Sequence, residues 1–186
     1  MSTSNVEREV KLRYESPEAA RAAVLATGAT PLRGRRLQED CLLDTDDGRL
    51  RAQGAILRVR LEGGKSRITF KGAQQPATMH VREELETVVG DGEILLRVLE
   101  ALGFRPWFRY QKYREELAYE DVVVAVDETP VGTFLELEGS EDGITAVARL
   151  LGRTPSEYVL DSYRALFVGW QREQRTSARD MVFDEA

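Results

Sequence analysis

Apolar and charged residues alternate along most of this chain, in short runs broken by turn residues, which is the period of an antiparallel sheet with two unlike faces. The pattern predicts strands over 6–14, 39–45, 55–62, 67–71, 80–88, 108–119, 122–127 and 133–138, enough to close a barrel. Four stretches switch to helical spacing. The first opens at Ser16-Pro17, a cap followed by a proline at the first helical position, and stops at Gly28. The second follows Asp91 and carries Ile94, Leu95, Val98, Leu99 and Leu102 up to Gly103; the others cover 144–151 and 156–167. Beyond Trp170 the tail is polar apart from Met181, Val182 and Phe183, and the pattern assigns it no element. With no repeat and no linker, 1–186 reads as one domain, with a core over about 5–168 and a tail over 169–186. The expected fold is α+β: an antiparallel, eight-stranded closed β-barrel with helices packed outside.

Neighbouring strand side chains point to opposite faces, so each strand sorts into two rows. Glu7, Glu9 and Lys11 oppose Val6, Val10 and Leu12; Arg58 and Arg60 oppose Leu57, Val59 and Leu61; Thr69 and Lys71 oppose Ile68 and Phe70. Arg82, Glu84 and Glu86 share a row, as do Lys112 and Arg114, while Asp127 ends its strand and Glu136 and Glu138 face away from Leu135 and Leu137. Strand by strand, such a row reads as a solvated face. Helices packed on the apolar rows turn that reading inside out, because the ionic rows then line the barrel interior. Buried charges need close partners. A polyanion suits the Lys and Arg residues, and a divalent cation suits the carboxylates. Like charges crowded on the cationic side are expected to repel one another until the polyanion arrives.

Composition narrows the chemistry further. A hydrophobic content of 42% supports a real core, and no run approaches the roughly 18 apolar residues of a membrane span. The residues 1–10 contain no apolar run, so neither a leader nor an anchor is expected, and a cytoplasmic location follows. A lone Cys41 allows no internal disulfide, and a lone His80 excludes zinc sites built on several His and Cys ligands. Any metal is then held by oxygen. A net charge of -6 argues against a nucleic-acid footprint, and oligomeric state stays open, a homodimer included.

Glu7-Arg8-Glu9-Val10-Lys11 resembles the ExExK motif that opens the CYTH superfamily, which contains class IV adenylate cyclases, thiamine triphosphatases and other triphosphate tunnel metalloenzymes. The resemblance continues through Leu57-Arg58-Val59-Arg60, Thr69-Phe70-Lys71, Arg82-Glu83-Glu84-Leu85-Glu86, Lys112-Tyr113-Arg114, Val126-Asp127-Glu128 and Phe134-Leu135-Glu136-Leu137-Glu138, over roughly 5–167. It implies that Lys11, Arg58, Arg60, Lys71, Arg82, Lys112 and Arg114 bind a triphosphate. It also implies that Glu7, Glu9, Asp127, Glu136 and Glu138 hold Mg²⁺ or Mn²⁺, commonly two ions, with Lys11, Glu84 and Glu86 as catalytic candidates. The implied substrates are tripolyphosphate, ATP or thiamine triphosphate. Hydrolysis is the first reading, cyclisation of ATP to cyclic AMP and pyrophosphate the second, and a non-catalytic triphosphate or polyphosphate sensor the third; so many carboxylates count against the last.

Four features stand aside from this set. Gly63-Gly64-Lys65-Ser66 imitates the end of a phosphate loop, but Val59 stands where a glycine is required, so it reads as a hairpin turn. His80 reads as structural or solvent-facing. Tyr163 reads as a packing residue and Arg109 as a solvated charge beside Phe108 and Tyr110.

Overall fold

A computed structural model describes residues 6–184, and they form the expected closed antiparallel barrel with five helices packed outside it. In chain order the elements are β1 (Val6–Tyr14), α1 (Pro17–Ala26), β2 (Thr30–Thr45), α2 (Arg49–Ala52), β3 (Ile56–Glu62), β4 (Lys65–Lys71) and β5 (His80–Val89). There follow α3 (Gly92–Ala101), β6 (Phe104–Tyr119), β7 (Val122–Thr129), β8 (Gly132–Glu138), α4 (Glu141–Leu150), a 3-10 turn at Pro155–Glu157 and α5 (Tyr163–Gln174). Around the barrel the strands run β1-β5-β4-β3-β2-β6-β7-β8. No described helix is long and apolar enough to cross a membrane.

The two-row pattern decides where the core sits. Apolar rows point outward and are covered by helices: Ala20 and Val24 of α1, with Ile144 and Val147 of α4, pack on Val10, Leu12, Leu135 and Leu137. Leu96 and Leu99 of α3 pack on Cys41, Leu43 and Val59. Phe167 of α5 packs instead on Leu42, Phe108 and Phe134, which belong to the inward rows. Burying each such side chain stabilises the fold by about 1.5–3 kcal/mol. Helices α1, α3 and α5 begin at side-chain caps, Ser16 accepting from the Ala19 N–H at 3.1 Å, Asp91 from Ile94 at 2.9 Å and Ser162 from Ala165 at 3.2 Å. Gly28 and Gly103 end α1 and α3 with φ of 92° and 93°, a conformation that costs other residues strain.

Four boundaries differ from the pattern. The long β2 starts at Thr30 because register shifts between Pro31 and Arg33, and between Arg33 and Arg36, break the alternation that would have shown it. Likewise β6 starts at Phe104, through Pro106, beside another shift at Leu42/Leu43. The helix expected over 156–167 is displaced to Tyr163–Gln174, since Val159 leaves helical geometry to donate its N–H to the Lys11 carbonyl at 2.8 Å. The tail docks: Met181 is fully buried and exchanges backbone hydrogen bonds with Arg109 and Gln111, and Phe183 lies 5.2 Å from the Tyr113 ring.

Short α2 was not legible either, because a tertiary contact supports it. Buried Asp44 accepts from the backbone N–H groups of Thr45, Leu50 and Arg51 at 2.8–3.0 Å and from Arg51 Nε at 2.9 Å. Burial alone would raise its carboxyl, but the Leu50 and Arg51 donors bring it down to about 2, below the ordinary 3.8. A depressed folded-state value stabilises above about pH 4, and that contribution is lost as pH falls toward 2. Asp44→Asn should therefore cost about 1–2 kcal/mol at pH 7 and much less at pH 2.5, as read by thermal or denaturant melts at both values.

Candidate active site

Closure of the barrel turns the ionic rows inward around a cavity of about 510 Å³. Glu7, Glu9, Lys11, Arg58, Arg60, Lys71, Arg82, Glu84, Glu86, Lys112, Arg114, Glu136 and Glu138 all line it. The ladder sets their order, with Glu7 opposite Arg82, Glu9 opposite Glu138, Lys11 opposite Glu136 and Lys71 opposite Glu84. Arg109 lies on the outer row, exposed, and Gly63-Gly64 make the turn between β3 and β4.

Asp127 is placed differently from the other acids. It does not reach the cavity wall but sits fully buried behind it, accepting from Lys112 Nζ at 2.7 Å, from both Arg114 donors at 2.5–2.6 Å and from the Tyr163 hydroxyl at 2.6 Å. Burial favours its neutral form, yet Arg114 and Lys112 hold the carboxyl below its usual range. Glu136 is tied to Arg114 and lies 3.5 Å from Lys11. Burial and the adjacent Arg114 bring the Lys112 ammonium down to about 8 in spite of Asp127 and Glu136. Tyr163 therefore does more than pack, since its ring also lies 5.0 Å from Lys112 Nζ and 5.4 Å from Lys11 Nζ.

On the neighbouring strand β2, Asp40 does the corresponding work for the cations of β3. It is buried and accepts from Arg60 Nε at 2.9 Å and Nη2 at 3.2 Å, with Arg58 Nε at 3.4 Å. The alternation of β2 carries this signal, since Asp40 shares a row with Leu42 and Asp44. Buried Thr69 accepts from Arg58 at 3.1 Å and donates to Glu86 at 2.9 Å. Apart from Arg82, whose Nη2 donates to Gln74 at 3.4 Å, the cations are thus paired rather than crowded: removing one of them exposes an acid instead of relieving repulsion.

The acids with the most capacity left lie along β1, β5 and β8. Lys71 Nζ bridges Glu7 at 2.6 Å and Glu84 at 2.9 Å, and Lys11 Nζ bonds Glu9 at 2.7 Å. Burial lifts the Glu7 carboxyl to about 8 against the pull of Lys71, with Glu9 and Glu84 adding to the rise. Glu138 reaches the open rim of the tunnel, where burial and then Glu9 also raise its carboxyl. Glu9 itself overcomes burial through Lys11 and stays at about 2. A closely spaced, oxygen-only set of acids, in which burial raises the Glu7 and Glu138 carboxyls, fits a hard divalent cation. Among the described residues no three such side chains converge at ligating distance in this arrangement, because Lys71 and Lys11 stand between them.

The model of the CYTH domain matches residues 5–154. This chain belongs to the CYTH domain family. A protein of Methanocaldococcus jannaschii, bearing the provisional name of an adenylate cyclase, is 28% identical over 147 residues, 78% of this chain and 83% of that one. The solved PH1012 protein of Pyrococcus horikoshii is 28% identical with a TM-score of 0.73, covering 86% of this chain and 98% of its own. A Hippeastrum protein, described under an adenylyl cyclase name as having a dominant triphosphatase activity, shares the fold at 22% identity and a TM-score of 0.69, over 88% of this chain and 96% of its own.

Proposed function

We propose that this CYTH-family protein hydrolyses a triphosphate inside the tunnel. One observation carries the reading: Lys11, Arg58, Arg60, Lys71, Arg82, Lys112 and Arg114 line one interior cavity, where a substrate could replace the carboxylate partners that all but Arg82 have. In this reading Arg58 and Arg60 of β3, oriented by Asp40, and Lys112 and Arg114 of β6, oriented by Asp127, grip phosphate oxygens from the two strands that flank β2. Holding the phosphates before reaction is what phosphoryl transfer asks of a protein, since positioning and charge stabilisation supply most of the rate.

Glu7, Glu9 and Glu138, assisted by Glu136, would hold Mg²⁺ or Mn²⁺. Asp127, whose oxygens are already engaged, serves in this reading as a counter-ion rather than a ligand. The bound ion would supply Lewis-acid polarisation of the phosphoryl oxygens. As a polyanion draws Lys71 and Lys11 toward itself, their carboxylate partners are released. Glu84 and Glu86, anchored by Lys71 and by Thr69 and Arg67, position the attacking group.

Cyclisation of ATP remains a second reading on one observation. The apolar side chains of Leu42, Ile56 and Trp107 line the same cavity beside the cations and offer a wall for an organic group. Product analysis separates the two. We expect phosphate release from tripolyphosphate or an organic triphosphate in the presence of Mg²⁺ or Mn²⁺, with little cyclic nucleotide from ATP. Cyclic AMP and pyrophosphate as dominant products would overturn the hydrolase reading in favour of the cyclase.

A further inference from the structure

The charged row of β5 does not begin at Arg82. Counting back by two reaches His80, which the pleat turns toward the same interior. It lines the cavity, stands opposite Glu9 on β1 and is only 4% exposed, so it is neither solvent-facing nor absorbed into an apolar core. The segment that leads into α5 lies against the same wall, its Val159 paired with Lys11. Neither His80 ring nitrogen makes a well-formed hydrogen bond in the protein, although the Leu160 backbone stands near enough to favour the ring's charged form slightly.

A buried imidazole with both nitrogens unpaired is an expense the fold could have avoided with a leucine. Burial, then Lys11, disfavours its protonated form, and the neutral ring keeps one N–H donor and one acceptor. Its neighbours in the row and across it are the cations Arg82 and Lys11 and the acid Glu9. The one acid among them, Glu9, is tied to Lys11 at 2.7 Å, so the ring lacks a partner that the oxygens of a phosphate chain would supply.

We propose that His80 is a substrate-contacting residue whose ring N–H donates to a phosphate oxygen held between Lys11 and Arg82. The assignment rests on the triphosphate reading above and extends it, adding a short, rigid donor beside the flexible Lys11 ammonium and the Arg82 guanidinium. A purely structural alternative, a tie between the ring and the Leu160 carbonyl, makes opposite predictions.

Calorimetric titration of the full chain with tripolyphosphate in EDTA, where no metal-dependent turnover disturbs the signal, tests it. His80→Leu should raise the Kd about tenfold, while His80→Gln, which keeps an N–H donor, should recover most of the affinity. The unliganded Tm of His80→Leu should be equal to or above that of the wild type, since two unpaired polar atoms leave the interior. Wild-type affinity in His80→Leu would overturn the proposal. So would a fall in unliganded Tm with affinity lost equally in both variants, the signature of the structural tie. Absence of tripolyphosphate binding by the wild-type chain would instead sink the triphosphate reading itself.

Discussion

Replacing Glu7 and Glu138 together by glutamine should lower kcat by about 10²–10³-fold and leave the fold intact. Both carboxyls are pushed upward by burial and by neighbouring acids, Glu7 to about 8, so near neutrality Glu7 already spends much of its time neutral. The amide copies that neutral form in size and polarity, which is why unliganded Tm should move by no more than a few degrees. What the amide lacks is the ability to become an anionic ligand, and that ability is needed only when a divalent cation enters. Excess EDTA should reproduce the loss in the wild-type chain, and Mg²⁺ or Mn²⁺ should restore it there but not in the double variant. Full activity of the variant, or of the wild type in EDTA, would remove the metal assignment.

The second large effect is on stability and falls on Asp127. Asp127→Ala leaves Lys112 and Arg114 buried beside one another with only Glu136 between them, and should cost about 3–5 kcal/mol. It also strips the Tyr163 hydroxyl of its acceptor, loosening the start of α5. The informative measurement is the melt with and without tripolyphosphate. Because the incoming anion replaces the missing countercharge, the ligand should raise the variant's Tm by more than it raises the wild type's. An Asp127→Ala protein as stable as the wild type would mean that the buried pairs contribute nothing, and a ligand response no larger than the wild type's would mean that phosphate does not reach Lys112 and Arg114.

The two-residue period by itself determined most of the architecture. Alternation runs through β3, β8 and most of β6, and through β1 apart from Arg8, and apolar residues on one row force that row against helices. The other row then has nowhere to go but inward, so Arg58, Arg60, Lys71 and Glu136 were legible as tunnel residues. The same arithmetic applied one step further would have caught His80 and Asp40, which share rows with Arg82 and Leu42. Only the tertiary structure could decide how the charges pair. A row says which way a side chain points, but not what stands across the barrel, and Asp127 with Lys112, Arg114 and Tyr163 draws on β7, β6 and α5. The same limit hid the start of β2, whose bulges break the period, the α2 turn held by Asp44, and the docked tail at Met181. Each depends on a partner remote in sequence or on a shift in register, and local periodicity carries no record of either.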